Sequence, residues 1–185
     1  NGVAIKETSD GSLVICANQL SDDCSTDMML IKVDSIGNQL WANVYTQQDE
    51  NISKSMSIAP NGNIMISGYS NIHKPRDSQV NLPPWTSSSF LRFSAVVIAA
   101  DPQDGDLLWS RSYNTMEESY FFSIDNTADS NGLLMAGITE GNNNHSSGIY
   151  ISKTNINGMD NCNSSPINFG QQALAIDTGY VSTTI

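Results

Sequence analysis

A pattern that recurs three times constrains this chain more than any other feature. Its first half reads Gly2-Val3-Ala4-Ile5 and then, past Asp10-Gly11, Leu13-Val14-Ile15-Cys16-Ala17. It returns as Ser55-Met56-Ser57-Ile58, Asn61-Gly62 and Ile64-Met65-Ile66-Ser67-Gly68. A third copy reads Phe121-Phe122-Ser123-Ile124, Asn131-Gly132 and Leu133-Leu134-Met135-Ala136-Gly137. Two apolar runs around an Asx-Gly dipeptide signal a β-hairpin, because the tight turn needs a left-handed backbone that Gly adopts freely and Asn or Asp tolerates. The small residue closing each second run (Ala17, Gly68, Gly137) predicts a close backbone approach or a turn there.

A second half-unit follows each first one. Leu30-Ile31-Lys32-Val33-Asp34 leads to Gly37, Trp41 and Tyr45; Val97-Ile98-Ala99-Ala100-Asp101 leads to Gly105, Trp109 and Tyr113. The third copy is Tyr150-Ile151-Ser152-Lys153-Thr154-Asn155, then Gly158, with Cys162 where Trp would stand. The Asp or Asn side chain is suited to accept backbone N–H groups of a turn while Gly supplies positive φ. Trp then opens the outgoing strand and is placed to pack between neighbouring units. No segment carries apolar residues at helical spacing over three turns.

Two hairpins per unit make four antiparallel strands, and units of this size with a docking Trp predict a β-propeller blade. The expected fold is all-β, a β-propeller segment of about three four-stranded antiparallel blades. They cover about 1–50, 51–116 and 117–163. Residues 164–185 are expected to form a linker (Asn163–Gly170) and a strand-like tail, either a closing strand or the start of a further domain. Closed propellers have four to eight blades, so three leave open faces. Further blades in a longer parent chain, a second copy completing a six-bladed ring, and a capped open array are the alternatives. The absence of an initiator Met and of a signal-peptide pattern, together with the blade count, predicts a piece of a longer protein.

Composition narrows the partners. Eight Lys and Arg stand against 19 Asp and Glu, for a net charge of -11. Such a chain repels nucleic acid and anionic lipid surfaces. No apolar run approaches the roughly 18 residues of a membrane helix, so no membrane insertion is expected. Cys16, Cys24 and Cys162 form no Cys-x-x-Cys motif, and His73 and His145 stand alone, so no metal and no cofactor is expected. A hairpin that brought Cys16 beside Cys24 would allow them to pair.

The run from Ala99 to Trp109 (Ala-Ala-Asp-Pro-Gln-Asp-Gly-Asp-Leu-Leu-Trp) resembles the tryptophan-docking motif of quinoprotein-type propellers. Thr8-Ser9-Asp10-Gly11, with Leu30-Ile31-Lys32-Val33-Asp34, Gly37-Asn38 and Trp41, is similar to the repeats of secreted bacterial propeller proteins exported by the type IX route. Gly158-Met159-Asp160-Asn161-Cys162-Asn163 resembles the variant that closes the last repeat in that family. The resemblance covers about residues 1–163. It implies a secreted or cell-surface location and an adhesin-like binding module, and it says little about ligand, because propellers serve many ends.

Candidate chemistry is sparse. Asp101, Asp104 and Asp106 lack the spacing of a calcium loop and read as a hairpin turn. Asp22-Asp23 and Glu117-Glu118 are neighbours, so on a strand their carboxylates point to opposite faces. No Gly-x-Ser-x-Gly, Walker loop, His-Glu-x-x-His or vicinal Cys pair occurs. No catalytic residue is assigned. The strongest functional lead is a Pro-rich insertion at about Asn71–Arg92, which departs from the repeat and carries Trp85, Phe90 and Phe93 beside His73, Lys74, Arg76 and Arg92. Trp85, His73, Arg76 and Arg92 are the candidate ligand-binding residues, since loops on rigid scaffolds carry recognition. The expected function is a non-catalytic extracellular scaffold for a polysaccharide or protein ligand. The alternative is part of an extracellular enzyme, glycan-acting or quinoprotein-like, with catalytic residues outside this chain.

Overall fold

The computed structural model describes residues 1–21, 25–47, 50–72, 92–113, 118–140, 147–160 and 163–174. These contain thirteen strands and no helix. Strands β1 (Gly2–Glu7), β2 (Leu13–Leu20), β3 (Thr26–Val33) and β4 (Gln39–Thr46) form an antiparallel meander, the first sheet. Strands β5 (Asn51–Ile58), β6 (Ile64–Ile72), β7 (Arg92–Ala100) and β8 (Leu107–Tyr113) form the second. Strands β9 (Glu118–Asn126), β10 (Gly132–Glu140) and β11 (Gly148–Asn155) form the third. The protein is thus all-β and built of antiparallel sheets.

Two short strands follow the third sheet. β12 (Ser164–Pro166) pairs with β8 and β13 (Gly170–Ala173) pairs with β4, so each adds a fifth strand to an outer edge. The third sheet has three strands among the described residues instead of four. The cause is local: the Asp160 carboxylate accepts the backbone N–H groups of Asn163 (2.9 Å) and Ser164 (2.7 Å) and turns the chain away from β11. The segment expected as a linker therefore supplies β12, because the open edge of β8 offers unpaired backbone groups.

The sheets pack face to face in chain order. Alternation along each strand sends one set of side chains to each face. From the first sheet Val14, Cys16, Met28, Leu30 and Tyr45 meet Met56, Ile64, Ile66, Val96 and Ile98 of the second. The opposite face of the second sheet sends Met65, Val97, Ala99 and Tyr113 against Phe121, Ile124, Leu133 and Met135 of the third. The second sheet is therefore apolar on both faces, which explains the unbroken run Ala95-Val96-Val97-Ile98-Ala99-Ala100, all fully buried. The first strands of the sheets lie in succession, β1 against β5 and β5 against β9.

The small residues behave as expected. Each first strand has a register shift, between Gly2 and Ala4, between Ser53 and Ser55, and opposite Ala136 and Gly137. There the backbones close in, and a Cβ at Gly68 or Gly137 would run into the carbonyl of Ile52 or Tyr120. The third hairpin turns two residues earlier than Asn131-Gly132 predicts. Its left-handed position is Ser130 (φ 58°), while Gly132 already belongs to β10. Thr127 accounts for this, since its hydroxyl receives the Gly132 N–H (3.0 Å) and pulls the strand start forward.

Candidate functional site

The Asx-Gly turns lie at one end of the sheets, and the strands that flank the insertion reach the other. At the turn end, the Asp34 carboxylate receives the N–H groups of Ile36 (3.0 Å) and Asn38 (2.8 Å). Asn155 does the same for Asn157 and Met159, both at 3.0 Å, and Asp101 for Gln103 at 2.8 Å. These bonds hold the Asp34 carboxyl below the usual carboxylate range, the Asn38 side chain contributing most. Asp101 thus serves a hairpin turn, as its spacing predicts.

Each Trp-x-x-x-Tyr pair grips the turn of the following unit. The Trp41 ring lies so close to Gly105 that a Cβ there would sit 2.7 and 2.8 Å from its carbons, and the Tyr45 hydroxyl donates to the Gly105 carbonyl at 2.6 Å. The Trp109 ring bears on Gly158 in the same way, and the Tyr113 hydroxyl donates to the Gly158 carbonyl at 2.7 Å. Burial pushes both phenols well above their usual range. Trp41 and Trp109 are thus packing residues between sheets.

Beside the first of these clamps lies a cleft of about 350 Å³, with Asp10, Lys32, Pro60, Gly62 and Pro102 among its walls. Lys32, only 5% exposed, donates to Asp10 (2.9 Å) and to the Pro102 carbonyl of the second sheet (2.9 Å). The Thr8 hydroxyl and then this ammonium hold the Asp10 carboxyl well below its ordinary value. Lys32 thereby ties the two sheets together.

The other end carries the insertion. Ile72 pairs with Arg92, so the departure from the repeat begins and ends on two paired strands. Of the expected ligand residues, Trp85, His73 and Arg76 lie outside the described residues, as do Lys74 and Phe90. Arg92 opens β7, with its side chain outside the described residues. Phe93 is part of β7 and meets Tyr69 edge to face, with ring centroids 5.3 Å apart. Tyr120 joins both, 4.9 Å from Tyr69 and 5.8 Å from Phe93. Phe122, 44% exposed, stacks on Tyr120 at 6.4 Å and 18°. The Lys54 ammonium stands 5.5 Å from the Tyr69 ring.

This cluster spans the second and third sheets at the foot of the insertion. The Tyr120 hydroxyl donates to Glu118 at 2.7 Å. Burial, this hydrogen bond and the charges of Glu118 and Glu140 raise its pKa. Burial and then Glu50 raise that of Tyr69. Half-buried rings edged by hydroxyls, carboxylates and an ammonium offer flat apolar faces with hydrogen-bonding rims. Sequence reasoning singled out Phe93 alone here. The signal for the others was the run Tyr120-Phe121-Phe122: Phe121 fills the core, so its neighbours must point elsewhere.

Cys16 is buried between the first two sheets and forms no disulfide; burial pushes its thiol up to about 11. Cys24 and Cys162 lie outside the described residues. Among the described residues no three His, Cys, Asp or Glu gather in a group able to hold a metal. No protein-family model matches the chain, and no curated protein sequence matches it.

Proposed function

We propose that this chain is a β-propeller segment that works outside the cell, secreted or at the cell surface, as a non-catalytic scaffold for a polysaccharide or protein ligand. The observation that carries the reading is the aromatic cluster of Tyr69, Phe93, Tyr120 and Phe122 at the foot of the insertion bearing Trp85. Polysaccharide is the favoured ligand, because sugar rings stack on aromatic faces while their hydroxyls reach polar rims such as Glu118 and Lys54. The blade reading draws support from the Trp-Tyr clamp, which repeats between successive sheets and gives the loops a stiff base. In this reading the chain binds and presents, and performs no chemistry. The location rests on the likeness of its repeats to those of type IX substrates.

The test is affinity electrophoresis of the chain through gels carrying a panel of soluble polysaccharides, beside Trp85→Ala and Phe122→Ala. Retardation by at least one polysaccharide, reduced severalfold in both variants with unchanged melting curves, is the expected result. Migration unaffected by every polysaccharide overturns the polysaccharide reading, and retardation unaltered by both variants overturns the site.

A further inference from the structure

The two outermost faces of the stack are the two halves of one repeated interface. Register identifies equivalent positions, because Val14 pairs with Lys32 as Leu134 pairs with Lys153, and Ile5 pairs with Ile15 as Met56 pairs with Ile66. The face that each sheet turns to its successor carries Val14, Met28 and Leu30 in the first sheet, then Met65, Ala95 and Val97 in the second. All six are fully buried. The same positions in the third sheet are Leu134, Ile149 and Ile151, which are 45%, 83% and 65% exposed.

The opposite face, turned to the predecessor, behaves likewise. Met56, Ile64 and Ile66 in the second sheet, and Ile124, Leu133 and Met135 in the third, are at most 4% exposed. Their counterparts in the first sheet are Ile5, Leu13 and Ile15; Ile5 is 59% exposed and the others half-buried. The polar contacts follow the same pattern. Gly105 and Gly158 are gripped by a ring from the preceding sheet, whereas Gly37, in an equivalent turn, would meet nothing within 4 Å of a Cβ. Lys32 reaches the carbonyl of Pro102 in the next sheet's turn, while its counterpart Lys153 is exposed.

We infer that the partner of both faces is a second copy of this chain, joined head to tail. The successor face of each copy covers the predecessor face of the other, so two identical contacts close a ring of six sheets. This rests on the propeller reading of the blades, and six lies within the four to eight that closed propellers have. Contacts of this heterologous kind close a ring when the rotation per unit fits, and one chain carries both halves. Lys153 of one copy then donates to the Ser35 carbonyl of the other, as Lys32 does to Pro102. The third sheet contributes no Trp-Tyr clamp among its described residues, so apolar contact and Lys153 hold the junction.

The test is native mass spectrometry and light scattering on the full chain across the micromolar range. Wild type is expected at about 40 kDa, twice the 20.0 kDa of one chain. Ile151→Asp and Ile5→Asp, both at exposed positions, are each expected to run as monomers with unchanged circular dichroism. Their equimolar mixture regains a dimer, because one intact successor face meets one intact predecessor face. A wild-type monomer overturns the inference, and so does a ladder of masses above 40 kDa, which means that the contact does not close. A dimer broken by only one of the two variants also overturns it, because it joins like face to like face. None of these outcomes touches the polysaccharide reading, which gel retardation decides separately.

Discussion

The sharpest check on the clamp compares two glycines in equivalent turns. Gly37 and Gly105 both hold positive φ, 92° and 75°, each after an Asp that opens the turn. Replacing either by Ala forces an L side chain into the left-handed region, at a cost of about 1–2 kcal/mol. At Gly37 nothing else is lost, because the added methyl points into open space. At Gly105 the same methyl lands 2.5 Å from the Asn43 amide nitrogen and 2.7 Å from the Trp41 ring. Both must move, and overpacking of this kind costs about 1–3 kcal/mol more. Gly105→Ala is therefore expected to destabilise by about 2–5 kcal/mol in total, against about 1–2 kcal/mol for Gly37→Ala. Urea unfolding followed by circular dichroism measures both, at submicromolar chain so that association adds nothing. Equal losses within about 0.5 kcal/mol, the usual scatter for neutral surface changes, would refute the claim that the Trp ring bears on this turn.

Further expectations follow from the same contacts. Tyr113→Phe removes the donor to the buried Gly158 carbonyl and is expected to cost about 1–2 kcal/mol, read as a lower urea midpoint with unchanged slope. Stability is also expected to fall in acid. The Asp10, Asp34 and Asp129 carboxyls sit below their ordinary value of 3.8 in the folded protein. The unfolded chain therefore takes up protons first as pH falls past about 4, and the stability these groups give above that pH is lost as pH drops through their folded values. Melting temperatures at pH 6, 4 and 2.5 test this, and the Asp34→Asn variant is expected to show a shallower decline.

What was legible in the residues was local chemistry. The strand runs and most of the Asx-Gly turns follow from side chains within a few positions of each other, while the docking of Trp41 and Trp109 follows from the repeat, which places both rings alike. The third hairpin turns two residues before the place that Asn131-Gly132 points to, because the Thr127 hydroxyl decides where the strand begins. The route of the tail was not legible. Pairing of β12 with β8 and β13 with β4 depends on which edges stand open in space, and no periodicity encodes that. The aromatic cluster is similar: Tyr69 follows a strand glycine and Tyr120 opens another sheet, so their meeting exists only once the sheets have stacked.

The strands that the tail lays on β8 and β4 change how the molecule comes apart. A linear row of repeats, each touching only its neighbours, frays from its ends one unit at a time. Here Gly170–Ala173, from beyond the last sheet, pairs with Asn43–Thr46 of the first. Loosening the segment that follows the third sheet strips an edge from the first, so the two melt together. During synthesis the dependence runs in reverse, since the first sheet is made before the other two and keeps an open rim until Gly170–Ala173 has followed.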